Sequence, residues 1–242
     1  MKNLIITGVG PGDPSLLTLA AVDAIQESTV VSYPVSIRGG ESLAMKIASK
    51  WISKDKKQLP LYFPMVEDTK TLKKAWRVAG NELMKMVEKG ERVVFLAQGD
   101  ISLFSTGSYL SKELEKHHSE CVVELIPGIT SFAAAAAKSK SPLAFQDEQL
   151  LIVPVPESSD ELKVILYEAG LKKRVVVLLK LGKKWTWVKP LLKELDLLES
   201  SLFAERVGFA DQQIVRASNL SPENRPYFSL LLIRQSWPLI MP

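Results

Sequence analysis

Apolar positions along this chain fall into two alternating rhythms. Short continuous runs of Ile, Val and Leu read as buried strands. They lie at residues 4–7, 29–33, 92–97 and 120–126 in the first half, and at 150–154, 174–180, 201–206 and 228–233 in the second. Between them, apolar residues return at three- and four-residue spacing. That period predicts helices over 15–25, 41–51, 68–89, from near 105 through Leu114, 132–137, 159–169 and 184–195. The clearest stripe is Leu72, Ala75, Trp76, Ala79, Leu83, Met86 and Val87. Residues 59–64 are bounded by prolines and read as no more than a short edge strand. Strand then helix, repeated through the first half, predicts a largely parallel sheet with helices on its faces.

The breaks between elements are as informative as the elements. In the first half, three strands run into glycine-bearing loops: residues 8–13, 99–103 and 127–131. Glycine reaches positive φ and leaves no Cβ in the way of a ligand. In parallel sheets, ligands bind beyond the carboxyl ends of the strands, where these loops fall. The first loop is not a phosphate cradle, because Asp13-Pro14 stands where a Lys and a Ser or Thr are needed. Nor is it the dinucleotide fingerprint, since its spacing is G-x-G-x-G and Pro11 removes a donor. Asp13 or Ser15 is expected to cap the helix that follows. Asp100, an acid beside a glycine in a turn, is expected to hold backbone N–H groups. The second half reads as another α/β unit. A composition shift at Ser139-Lys140-Ser141-Pro142 predicts domains over 1–138 and 139–242, with a pocket in the cleft at that hinge.

Composition narrows the chemistry. The 242 residues are 46% hydrophobic and 24% charged, ample for a packed core. No apolar run nears the roughly 20 residues needed to cross a bilayer, and no signal-peptide pattern opens the chain, so a cytoplasmic protein is expected. Cys121 is the single cysteine and falls in an apolar run, which predicts a buried thiol rather than a nucleophile. His117 and His118 are adjacent on a helix and point about 100° apart. A metal site is therefore not expected, and acyl transfer through a His-based triad has little support. The formal charge of +4 suits an anionic partner, either nucleic acid or a polycarboxylate. Lys70, Lys73, Lys74 and Arg77 read as the solvated face of their helix.

The loop motifs resemble a family. Gly8-Val9-Gly10-Pro11-Gly12-Asp13 with Leu17-Thr18, then Gly99-Asp100, then Pro127-Gly128-Ile129-Thr130-Ser131, are similar to the three signatures of the tetrapyrrole (cobalamin and sirohaem) S-adenosylmethionine-dependent methyltransferases. The order is the family's order. Further segments resemble its precorrin-2 C20-methyltransferase group: Tyr33-Pro34, Phe63-Pro64-Met65, Trp76, the run from Phe104 to Leu110, and Pro142-Leu143-Ala144 after the alanines. Two positions depart from the pattern. Ile101 stands where the second motif usually has Pro, and Pro34 stands where sirohaem-branch relatives carry an acid.

The resemblance implies two α/β domains with an active-site cleft between them. It also implies S-adenosylmethionine as methyl donor, and C20 of precorrin-2 or cobalt-factor II as acceptor in cobalamin synthesis. Carried over position by position, the cofactor contacts would be Pro11, Gly99, Asp100, Leu103, Thr130 and Ser131, with Leu181 and Gly208 from the second half. Gly10, Tyr33, Arg38 and Arg206 are the expected substrate positions, the arginines because the substrate carries acetate and propionate carboxylates. No metal, nucleic acid or membrane is expected, and a homodimer is. No catalytic base is legible. Other readings in the same fold are methylation of another tetrapyrrole carbon, of ribosomal RNA or of a protein, and a non-catalytic nucleotide-binding module is a reading of a different class. If Gly99 faces the cofactor, Gly99→Val should weaken cofactor binding at least about tenfold with the fold intact, as read by calorimetry.

Overall fold

A computed structural model describes residues 4–237 of the chain. These residues divide into two compact units between Thr130 and Ser131. The division falls just before the alanine-rich helix, whereas the sequence reading put it after that helix at 138/139. No described helix is long and apolar enough to cross a membrane.

The first unit is a five-stranded sheet built from β1 (Leu4–Gly8), β2 (Val30–Val35), β3 (Lys57–Tyr62), β4 (Val93–Ala97) and β5 (Val123–Ile126). Its strand order is β3-β2-β4-β1-β5 and every pair is parallel. The helices are α1 (Leu19–Glu27), α2 (Leu43–Ala48), α3 (Thr69–Glu88) and α4 (Thr106–His117). One core forms where α3 and α4 cover the sheet, joining Leu4, Ile6, Phe95, Leu83, Leu110 and Leu114.

Local chemistry moved several boundaries. Asp13 does cap, but it caps the single 3-10 turn Pro14–Leu16, accepting from Ser15 N at 2.9 Å. The helix proper waits for Thr18, whose Oγ1 accepts from Ala21 N at 3.1 Å. β3 is an edge strand as expected, though it starts at Lys57. Pro60 is tolerated there because one side of an edge strand has no ladder partner. The fifth strand was expected to be buried, yet it lies at the opposite edge and leaves Leu125 50% exposed. Cys121 precedes it and is half-buried rather than buried. Burial, then the Glu120 charge, push its thiol pKa up, which leaves it a poor nucleophile at neutral pH.

The second unit comprises α5 (Ser131–Lys138), β6 (Gln149–Pro154), α6 (Ser159–Leu171), β7 (Arg174–Leu179), α7 (Trp185–Glu194), β8 (Ser201–Glu205), β9 (Gln213–Arg216) and β10 (Ser229–Ile233). The sheet order is β6-β7-β10-β8-β9, parallel only between β6 and β7. Residues 213–216 went unpredicted because a four-residue run with two polar ends carries almost no periodic signal. Trp185, Phe203, Leu162 and Leu231 anchor the core.

A buried ion pair closes this unit. Arg234 pairs through Nη1 with Glu148 Oε1, and both side chains are at least nine-tenths buried. Its Nη2 donates to Pro142 O at 2.8 Å, and its guanidinium lies over Phe145 and Trp237. The segment after α5 is thereby pinned to the end of β10. Removing one partner of such a pair strands the other charge, so Glu148→Ala should cost about 3–5 kcal/mol in denaturant unfolding, and Glu148→Gln less.

Candidate functional site

Topology decides where the first unit's loops meet. After β1 the chain turns toward β2, on the β4 side; after β4 it heads for β5, on the far side of β1. Right-handed crossovers place the helices following these two strands on opposite faces of the sheet. The two connections must therefore cross at the strand tips.

They cross backbone to backbone. Gly10 and Gly99 form an isolated antiparallel bridge and exchange both hydrogen bonds, Gly10 N to Gly99 O at 3.2 Å and Gly99 N to Gly10 O at 2.8 Å. Both residues need positive φ, +77° and +72°, a region costly for residues with a Cβ. Beneath the bridge, Gly8 and Gly128 are needed for space. A Cβ on Gly8 would meet Gly99 O at 2.5 Å, and one on Gly128 would meet it at 2.2 Å. Toward Gly99's own missing Cβ there is nothing within 4 Å. The floor is closed below and open above that position.

Asp100 locks the third loop to the second. Its Oδ2 accepts from Gly128 N at 2.8 Å, and its Oδ1 accepts from Ser102 N at 2.9 Å and from the Ser102 hydroxyl. Burial pushes the carboxyl pKa up, but the Ser102 hydroxyl and the amides of Gly128, Ser102 and Ile101 outweigh it, so the pKa lies below the ordinary aspartate value. Asp100 is thus an ionised clamp and not a general base, as its turn position suggested. Ile101 holds the turn where proline was expected. Its side chain is 7% exposed in the α3–α4 core, and its carbonyl accepts from Ser108 Oγ on α4. Pro11 is buried, with its carbonyl accepting from Gln98 Nε2 at 3.3 Å. Leu103 and Thr130 are half-buried on the second and third loops.

The remaining expected positions are more dispersed. Tyr33, at the end of β2, is half-buried and donates its hydroxyl to Gln58 Oε1 at 3.0 Å; burial raises its pKa, so it is a neutral donor. Arg38 is exposed on the loop after β2, with its guanidinium 5.0 Å from the Tyr62 ring centroid. In the second unit, Ser131 begins α5 and is half-buried. Leu181 is 1% exposed within that unit's own core, so its side chain is spent on packing. Gly208 takes φ +88° and donates to Gln212 Oε1 at 3.1 Å. Arg206 is already engaged, donating from Nε to Asp211 Oδ2 at 2.6 Å and lying over Phe209. His117 and His118 face α3 rather than each other's ligands: His117 meets Arg77 and His118 meets Asn81. Among the described residues no cluster of His, Cys, Asp and Glu could hold a metal ion.

A loop floor of backbone polar groups at the carboxyl edge of a parallel sheet is the mark of a small-molecule α/β enzyme. Residues 3–220 match the family model described as Tetrapyrrole (Corrin/Porphyrin) Methylases, and the chain belongs to that family. Over 97% of both chains it is 30% identical to the cobalt-precorrin-2 C(20)-methyltransferase of Salmonella typhimurium. It is 26% identical to the precorrin-2 C(20)-methyltransferase of Sinorhizobium sp, over 95% of this chain and 94% of that one. Among solved structures it is similar to a cobalt precorrin-4 methyltransferase of cobalamin biosynthesis (TM-score 0.70, 19% identity, 96% and 94% covered). It is also similar to the uroporphyrin-III C-methyl transferase of Thermus thermophilus complexed with S-adenyl homocysteine (TM-score 0.65, 22% identity, 96% and 97% covered). These two likenesses concern the fold.

Two substitution series separate the glycines' roles. Gly8→Ala and Gly128→Ala press a Cβ onto backbone and should destabilise by about 3 kcal/mol or more. Gly99→Ala meets open space and should cost only the positive-φ strain, about 1–2 kcal/mol. Gly99→Val adds β-branching to that strain, so a loss of stability accompanies any loss of ligand, contrary to the intact fold expected from sequence. Asp100→Asn should cost about 1–2 kcal/mol at neutral pH. Since the folded pKa is depressed, that contribution is present above the unfolded value of about 4 and lost as pH falls through the folded one. Wild type and variant should therefore converge in thermal melts taken on acidification.

Proposed function

We propose that this chain transfers the methyl group of S-adenosylmethionine to C20 of a precorrin-2-type tetrapyrrole, either metal-free or cobalt-loaded, in cobalamin biosynthesis. The observation that carries this reading is the similarity to a cobalt-precorrin-2 C(20)-methyltransferase along 97% of both chains, in a protein whose three expected loops form one glycine-built floor. The fit to the methyl donor rests on the same floor. It has an open position at Gly99, no cation placed for phosphate, and a carboxylate already saturated by N–H and hydroxyl donors.

When bound, S-adenosylmethionine supplies an activated methyl on a sulfonium, which an electron-rich carbon can attack in line. The chain's own part is to align the two reactants and exclude water. Pro11, Gly99, Asp100, Leu103 and Thr130 would hold the donor from the first unit, with Ser131, Gly208 and the Leu181 backbone from the second. Asp100 contributes by fixing the third loop rather than by moving a proton. Gly10 lets the first loop lie flat against the second, which keeps the floor open to the substrate. Tyr33 could donate to the substrate's periphery only by leaving Gln58, and Arg38, free of any ion pair among the described residues, would pair with a carboxylate. Arg206 could do so only by leaving Asp211. A cytoplasmic homodimer is the proposed working form, readable by light scattering.

Anaerobic incubation with methyl-labelled S-adenosylmethionine tests the reading. Label should enter precorrin-2 and its cobalt-loaded counterpart at C20, with their relative rates setting the preferred substrate. Label entering only uroporphyrinogen III would contradict the C20 assignment, and tight donor binding with label in no tetrapyrrole would favour a binding module.

A further inference from the structure

Trp76 of α3 and Tyr109 of α4 stack face to face, with ring centroids 4.7 Å apart and planes within 1°. Trp76 belongs to the apolar stripe of α3, and helix packing accounts for it. Tyr109 is different: it remains 55% exposed. One face of its ring is covered by Trp76, so the exposure belongs to the opposite face and the edge.

The position of this ring matters. Tyr109 lies in the first turn of α4, directly after the loop that contains Gly99 and Asp100. Ser108, its neighbour, ties that turn to the loop through the Ile101 carbonyl. In a parallel sheet the connecting helices start at the carboxyl edge of the strands. The opening halves of α3 and α4 therefore both stand at the edge where the loops cross.

Three cations line one face of α3. Lys70, Lys73 and Arg77 are spaced i, i+3 and i+7 and share one face of α3. Arg77 shows which way that face points, because its Nε donates to Glu113 Oε1 on α4 and its Nη2 meets His117 Nε2. By that spacing Lys70 and Lys73 share Arg77's side of α3, nearer the start of the helix and so nearer the carboxyl edge. Both are exposed, and neither has an ion pair among the described residues. Helix-to-helix packing accounts for Trp76 but not for a tyrosine ring left 55% exposed beside it.

We propose that the Tyr109–Trp76 stack with Lys70 and Lys73 is a docking platform for the tetrapyrrole substrate, resting on the function proposed above. The open face of Tyr109 takes a pyrrole face, and the two lysines take peripheral carboxylates. An aromatic plane beside cations is complementary to a conjugated polycarboxylate in both shape and charge. The platform is a positioning element with no part in bond making.

The test uses the full chain and uroporphyrin III, a stable flat polycarboxylic porphyrin, titrated by absorbance. Tyr109→Leu should weaken its binding about tenfold, as loss of a stacking partner does, while Tyr109→Phe should bind like wild type. The Lys70→Gln/Lys73→Gln double variant should lose about tenfold at low salt and little at high salt. Calorimetric affinity for S-adenosylhomocysteine should be unchanged in all of them, which also reports that they fold. Wild-type porphyrin affinity in Tyr109→Leu, or equal losses in the Leu and Phe variants, would overturn the platform. Displacement of the porphyrin by an equimolar oligoribonucleotide would assign the surface to RNA and overturn it as well. Tyr109-dependent porphyrin binding without methyl transfer would uphold the platform and sink the C20 activity. Methyl transfer with an unaltered KM in Tyr109→Leu would do the reverse.

Discussion

The crossing of two connections above neighbouring strands is the constraint on which the rest of the site depends. β1 and β4 lie side by side, but the chain leaves them in opposite lateral directions, so their loops must pass over each other. Two peptide backbones can do that at hydrogen-bonding distance only where side chains are missing. Gly10 and Gly99 supply the unusual φ and Gly8 and Gly128 the room, and the bridge hydrogen bonds satisfy the backbone groups that the crossing would otherwise strand. Asp100 then extends the junction to the third loop by accepting from Gly128. The site is a consequence of strand order rather than an addition to it.

Local capping explains Asp13, the acid that looked out of place for a phosphate cradle, and Asp100 acts in the same way. Asp13 and Asp100 both turn inward on their own loops and cap backbone N–H groups there. Neither is presented to a ligand as free negative charge. Exposed positive charge lies elsewhere, on Arg38 after β2 and on Lys70 and Lys73 of α3.

Much of this was legible in the chain, and for physical reasons. The inner strands β1, β2 and β4 read clearly because they are largely buried on both faces, β4 along its whole length. The three loops were legible because glycine and proline punctuate so strongly. What stayed hidden depended on partners distant in sequence. Nothing local in residues 120–126 said that β5 would take an edge, since that is decided by which strand β1 pairs with on its other side. That Leu181 is buried in its unit's core could not be read until the core it fills existed. Arg206 looked free because Asp211 closes on it only through the turn that begins there. The Trp76–Tyr109 stack joins residues on two helices separated by a whole strand, and no periodicity could pair them.

Amide hydrogen exchange with and without S-adenosylhomocysteine tests the central claim most directly, because it reads the three loops separately. If the crossed loops form the donor floor, the ligand should add protection to peptides spanning 9–13, 98–105 and 127–131 together, with little change along β3 or β9. Protection confined to other segments, or absent from all three loops despite saturating ligand, would contradict it.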